Sequence, residues 1–309
     1  MEFGALPLLS LGDVIKHPAH GAIGALVIGP KGSRVCASEH ADEQAADRAS
    51  DTSATVCTEE GRRYRDFVVV LQDAVDAKIQ GGLVPNLKGA EEPDDYGIKA
   101  VNYRTEPLWG RRGGDPSIEF EERNEFDYGG VHSSKVQRNT AAGEPVTAAQ
   151  ADALLASQGF AKASALLRCQ AGIDLLPQAA RHACDPETPL FVARAGSEVR
   201  LRVVHPGGHT RQQAFTVHGH DWDPAPWNLG SNVMRSTHHQ ATRDAWTIQG
   251  SYNGVGPHMG TNLLLHAGGR AELPMDYLWR SQASFVYDGG IWGLLRVTPS
   301  TGDAPHRSP

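Results

Sequence analysis

The sequence predicts an all-β protein, a sandwich or barrel of short antiparallel strands, and three observations predict it. Runs rich in Val, Ile, Phe and Tyr recur along the chain, their length and composition suiting strands. Glycine (34) and proline (19) punctuate them as turn residues do. After residue 188 the runs follow one another without the crossover helices that a parallel sheet needs. In order, the runs are Ala25–Ile28, Phe67–Leu71, Val101–Tyr103, Leu190–Ala193, Val199–Val204, Phe215–Val217, Ala245–Ile248, Asn262–Leu265, Tyr277–Trp279 and Ile291–Val297.

Two segments break the pattern. Residues 37–55 are small, polar and acidic with no apolar face, which predicts a mobile loop between Cys36 and Cys57. Thr147–His182 carries apolar residues at helical spacing (Ala151, Leu154, Leu155, Phe160, Ala163, Leu166, Leu167) behind Thr147 as N-cap, which predicts a helical insertion. The four cysteines, Cys36, Cys57, Cys169 and Cys184, fall into two local pairs outside any CxxC metal pattern. Two short-range disulfides and four buried reduced thiols both fit that spacing.

The 309 residues hold one large domain or two ordinary ones. With 29 basic against 36 acidic side chains and a net charge of -7, nucleic acid and anionic membrane are poor partners. No apolar run reaches the roughly 18–20 residues of a membrane span. The opening residues MEFGALPLLSLGDVIKHP lack the basic flank and long apolar stretch of a secretion signal.

An internal repeat bears on organisation. HGAIGALVIGP (His20–Pro30) and GGIWGLLRVTP (Gly289–Pro299) share glycines and apolar positions when His20 is laid on Gly289. Asp13–Lys16 and Asp276–Trp279 then read as penultimate strands before these closing strands. The chain so contains two domain ends and one beginning, near Tyr64–Asp73. The first 30 or so residues are expected to need partner strands from elsewhere.

In these phrases, together with YRDFVVVLQDAV, AVNYRTEPLW, TPLFVARAGSEVRLRVVHPGGHTRQQAFTVHGHDW and MDYLWRSQASFVYDGGIWGLLRV, the sequence resembles the multicopper oxidases. The nearest type is the large bacterial manganese-oxidising one, built like ceruloplasmin from repeated cupredoxin domains. The resemblance implies a cupredoxin-like Greek-key β-sandwich with a helical insertion. It implies closing strands of a preceding domain at 1–32, a Cys-flanked acidic loop at 33–59, and a cupredoxin-like domain at 60–299 with its insertion at about 147–183. A disordered tail would occupy 300–309. Resemblance and paired cysteines together suggest an extracellular or periplasmic setting.

Copper chemistry in this family needs two imidazoles and a Cys thiolate at the type 1 centre, and imidazoles from HxH pairs at the trinuclear cluster. By resemblance the thiolate position falls on Ile15 in the first repeat and Ser284 in the second. The histidine run falls on Gln213–His220, where Gln213 and Thr216 replace ligands and only His218 and His220 remain. The resemblance thus implies the sandwich without a complete type 1 site, with copper only in an assembled complex. The implied partners are other cupredoxin domains or chains, or further copies of this one.

His218 and His220, two residues apart, share one strand face and would serve a divalent metal with a third ligand from His205, His209 or Asp221. The alternative is a pair of core histidines. His17 and His20 flank a strand-end loop and read either as interface metal ligands or as exposed side chains. His238, His239, His258 and His266 make no ligand spacing, and Glu91–Asp95 reads as a solvated turn or a hard-cation loop. The six tryptophans read as packing. A cupin metalloenzyme would need Glu a few residues after HxH, whereas Asp221–Ala225 follows His220. Two functions stand: a structural cupredoxin part of an oxidase assembly, or a copper-dependent oxidase of Mn2+ or phenols completed by other chains.

Overall fold

The structure is a computed structural model. It describes residues 3–14, 16–73, 78–79, 82–83, 100–101, 185–186, 188–207, 212–222, 251–282, 286–287 and 289–300. The expected helical insertion at 147–183, the pair Cys169 and Cys184, the strand at 245–248, the acidic stretch 91–95, Ile15, Ser284, His209, His238 and His239 lie outside the described residues, as does the tail beyond Ser300.

In chain order the elements are β1 (Gly4–Leu9), α1 (Lys16–Ala19), β2 (Ile23–Ile28), β3 (Arg34–Cys36), α2 (Ala41–Ala49), β4 (Ser53–Cys57) and β5 (Arg63–Gln72). Three two-residue strands follow, β6 (Lys78–Ile79), β7 (Gly82–Leu83) and β8 (Ala100–Val101). The remainder are β9 (Phe191–Arg194), β10 (Glu198–Gly207), β11 (Gln213–Val217), β12 (Ser251–Val255), β13 (Met259–His266), a 3-10 turn at Gly269–Ala271, β14 (Asp276–Ser281) and β15 (Trp292–Thr298). The chain is predominantly β, as its strand runs predict.

Two sheets face each other in a β-sandwich. One runs β13-β10-β5-β4-β3, with β8 on the end of β5; the other runs β12-β11-β14-β15-β9. The period of two divides each strand into an inner and an outer row. Phe67, Val69 and Leu71 of β5 and Val199, Leu201 and Val203 of β10 point inward from the first sheet. They meet Phe215 and Val217 of β11, Tyr277 and Trp279 of β14, and Leu295 and Val297 of β15. The Phe191 ring stacks on Phe67 at 4.5 Å and lies 5.8 Å from Trp279, joining the layers through aromatic contact.

Two pairings depart from the antiparallel expectation: β5 with β10, and β9 with β15, are parallel. In both, the partners are separated by long stretches of chain, and parallel neighbours require such long connections rather than a tight turn.

The first repeat is also placed differently from its reading. Asp13–Lys16 is not a strand: the Asp13 carboxylate accepts from the Lys16 N–H at 2.9 Å and starts the single turn of α1. The partner of β2 is instead β1, antiparallel with Leu6 opposite Leu26. The hairpin lies on the outer face of the first sheet, where Ala5, Ile23, Ala25 and Val27 cover Val68, Val70 and Val204. Gly260 lets it approach, since a Cβ there would stand 2.8 Å from the Ala5 carbonyl oxygen. The Ala5 N–H donates to Asn262 Oδ1 at 3.0 Å. The first 30 residues therefore find one partner within the chain. Among the described residues the outer edges of β1 and β2 carry no further strand.

The acidic segment 37–55 is not a mobile loop. It forms α2 and leads into β4, whose Cys57 is disulfide-bonded to Cys36. The absence of an apolar face misleads here because the helix buries charge instead. Asp47 of α2 accepts both terminal nitrogens of Arg65 at 2.8 and 2.7 Å, and Asp42 accepts from Arg194 at 3.0 Å. Buried Glu43 accepts from the Ser38 hydroxyl and the Arg194 N–H. Arg65, itself buried, completes its set on the Val192 carbonyl, Thr55 and Ser53. Strand β4 joins the first sheet, so residues 33–59 are integral to the sandwich.

Candidate functional site

The described positions that the family resemblance assigns to copper ligands lie on and after β11. Gln213 and Thr216, three residues apart on β11, are both buried and bonded within the fold. The Ser281 hydroxyl donates to Gln213 Oε1 at 2.8 Å, and Gln213 Nε2 reaches Asp73 Oδ2 at 3.4 Å. Gln282 Nε2 donates to Thr216 Oγ1 at 2.5 Å. An amide and a hydroxyl are poor copper ligands beside imidazole and thiolate. Here they tie β11 to β14 and to the end of β5.

His218 and His220 do not form a pair of free imidazoles. His218 is exposed in the turn after β11. His220 is buried: its Nδ1 donates to the His218 carbonyl at 3.0 Å, and its Nε2 accepts from the Gly268 N–H at 3.1 Å. These two bonds select the neutral tautomer with the proton on Nδ1 and occupy both ring nitrogens. The ring meets Tyr277 edge-on at 4.5 Å, and the Tyr277 hydroxyl donates to the Gly268 and Leu273 carbonyls. Together they hold the turn between β13 and β14.

Of the third ligands named by the sequence, the two described ones, His205 and Asp221, do not converge either. Asp221 pairs with Arg270 at 2.6 Å. His205 is buried opposite Met259, while His220 lies beside Gly268, past the other end of the β10–β13 ladder. The seven residue steps from Glu198 to His205 along β10 span roughly 23 Å at ~3.3 Å each. His17 and His20 are exposed in the β1–β2 connection, where His17 Nδ1 meets Ser10 Oγ at 2.8 Å. Among the described residues no group of three or more His, Cys, Asp or Glu side chains is placed to hold a metal ion. The described donors thus do not fit a type 1 centre.

Burial is the first cause holding the pKa of His220, and that of His205, below the usual imidazole value. A histidine kept neutral by the fold binds fewer protons folded than unfolded in the window between the two pKa values. Its contribution is complete above the unfolded pKa, near ~6.5, and is lost as pH falls from there toward the lower folded pKa. Urea unfolding from pH 8 to pH 5 is expected to show stability falling below that point, with a shallower fall in His220→Gln. An unchanged slope in the variant would remove His220 from the titration.

The sequence reading passed over the outer-row charges of β5 and β10. Asp66, Arg200 and Arg202 alternate with apolar residues and so resemble a solvated face, yet all three are buried. Arg202 forks onto Asp66 at 2.8 and 3.1 Å and reaches Asn262 Oδ1 at 3.2 Å beneath the β1–β2 hairpin. The signal available in sequence is the opposite charge of neighbouring outer-row positions on two paired strands.

No family model and no curated protein sequence matches the chain. Among solved structures it is similar to a copper-containing nitrite reductase from Thermus scotoductus SA-01, at 13% identity and TM-score 0.25, over 35% of this chain and 22% of that one. It is similar to the copper nitrite reductase from Nitrosomonas europaea, at 12% identity and TM-score 0.40, over 96% of this chain and 62% of that one. For the Blue Copper Oxidase from Nitrosomonas europaea the values are 19% and 0.26, over 36% and 31%. The chain spans less than two thirds of the length of each of these proteins. The likeness to these copper proteins is distant.

Proposed function

We propose that this chain is a cupredoxin-fold part of a multicopper oxidase-like protein, one that lacks a complete type 1 copper site and contributes structure and interface to an oxidase assembly. The observation that carries the reading is the bonding of Gln213 and Thr216. At the two positions where the resemblance expects copper-binding imidazoles, the side chains are hydrogen-bonded to Ser281, Asp73 and Gln282. His220, whose ring nitrogens are both engaged, supports it further. The Cys36–Cys57 disulfide supports an oxidising compartment, extracellular or periplasmic. Among the described residues no helix is long and apolar enough to cross a membrane.

A second reading retains catalysis: copper sites completed by other domains or chains, oxidising Mn2+ or a phenol with dioxygen as acceptor. It is favoured by the exposure of His17, His20 and His218, which leaves them within reach of a partner's ligands. Oxygen uptake by the chain alone tests the structural reading, since uptake in the second reading needs the completing chains. Purified chain supplied with copper, and with Mn2+ or a simple phenol as reductant, is expected to consume oxygen no faster than a protein-free copper control. Saturable uptake by the chain alone would overturn the structural reading.

A further inference from the structure

The β1–β2 hairpin carries an apolar face that nothing in the chain covers among the described residues. Its outward row is Leu6 and Leu8 on β1 and Leu26 and Ile28 on β2, which are 36%, 49%, 47% and 40% exposed. Phe3, Leu11 and Val14 are exposed in the same segment. The outward row alone presents on the order of 300 Å2 of apolar surface, the scale at which a patch marks a contact site.

The second copy of the repeat shows what kind of surface this is. Laying Ile23 on Trp292 places Leu26 on Leu295 and Ile28 on Val297. The ladders then place Leu6, opposite Leu26, on Tyr277, which is opposite Leu295. They also place Leu8, opposite Gly24, on Trp279, opposite Gly293. Tyr277, Trp279, Leu295 and Val297 are the core row of β14 and β15. The face that the first hairpin exposes is the face that its counterpart buries.

We infer that this face is an interface, and that a second copy of the chain covers it in a two-fold contact. Three features favour that occupant. The outward row holds no ionisable side chain, so two copies meet there without like-charge repulsion despite the net charge of -7. The row is close to self-complementary, with Leu6 and Leu26 at its centre and Leu8 and Ile28 at opposite ends, which suits an isologous contact. The hairpin is already fixed from beneath by Ala5, Ile23, Ala25 and Val27 and by the Ala5 to Asn262 hydrogen bond, so docking orders little additional backbone. The inference is independent of copper and stands or falls apart from the oxidase reading.

Sedimentation of the full chain over a wide concentration range tests it. The expected result is a concentration-dependent dimer. Leu6→Lys with Leu26→Lys should weaken dimerisation about 100-fold or more, since charge is placed at the centre of a desolvated patch. Leu273→Lys, which removes an exposed leucine from a distant turn, should leave the dimer unchanged. Because the substituted side chains are exposed, circular dichroism should match the parent for every variant. A chain that is monomeric at all concentrations overturns the inference, as does a dimer indifferent to the paired lysines. A monomer whose hairpin face binds an apolar dye, with that binding lost in the lysine variant, assigns the face to a different partner and overturns it equally.

Discussion

Replacing Arg202 with alanine is expected to destabilise the fold by about 3–5 kcal/mol, the usual cost of stranding one member of a buried ion pair. Arg202 is fully buried and its partner Asp66 nearly so. The hairpin laid over the outer face of the first sheet removes both from water. Without the guanidinium, the Asp66 carboxylate keeps its desolvation penalty and loses the two bonds that offset it. Asp66→Asn should cost a similar amount for the converse reason. Replacing both partners together, Arg202→Met with Asp66→Leu, should recover most of the loss, because no charge then remains unpaired. Equilibrium urea unfolding reads all three. Singles costing under about 1 kcal/mol would mean that water reaches the pair. Hydrogen exchange supplies a local check: Asn262 binds both Arg202 and the Ala5 N–H, so the Ala5 amide should exchange faster in Arg202→Ala.

The second large effect is expected at Gly293, opposite Trp279 in the β14–β15 ladder. A Cβ there would stand 2.2 Å from Trp279 Cζ2, inside any tolerable contact. The indole cannot retreat, being fully buried with Phe191 and Phe215 each 5.8 Å away. Gly293→Ala should therefore cost about 3 kcal/mol, at or above the upper end of ordinary overpacking. The corresponding pair in the first hairpin is Gly24 opposite Leu8, which suggests the compensating change. Gly293→Ala with Trp279→Leu should be more stable than Gly293→Ala alone, the smaller side chain freeing the space that the methyl needs. A double variant less stable than Gly293→Ala would refute the clash as the cause.

Much of the sandwich was legible because its inner rows alternate with a period of two. Phe67–Leu71, Val199–Val204, Phe215–Val217, Tyr277–Trp279 and Ile291–Val297 all mark strands of the two sheets. The repeat also aligned correctly on its closing strands, since β2 begins at Ile23 and β15 at Trp292, the residues that the alignment superimposes. The other strand of the first hairpin was missed. Leu-Pro-Leu-Leu across residues 6–9 offers no clean alternation, and Pro7 demotes a strand reading. Helix α2 was missed because its buried face is carboxylate rather than apolar, and only the position of Arg65 in space makes that face worth burying.

The candidate site divides the same way. The family resemblance puts Gln213 and Thr216 where imidazoles are expected, but sequence does not reveal that Ser281, Asp73 and Gln282 take up their polar atoms. The two remaining histidines keep HxH spacing, yet His218 ends in an exposed turn and His220 turns inward to bind backbone. Ligand spacing along a chain fixes neither side-chain direction nor competing hydrogen bonds.

Copper titration of the purified full chain, followed by optical absorption and by metal content after gel filtration, tests the central claim most directly. With Gln213, Thr216 and His220 committed to the fold, the expected result is neither the intense blue band of a copper–thiolate bond nor copper retained in stoichiometric amount. A chain that turns blue and holds one copper through the column would contradict it.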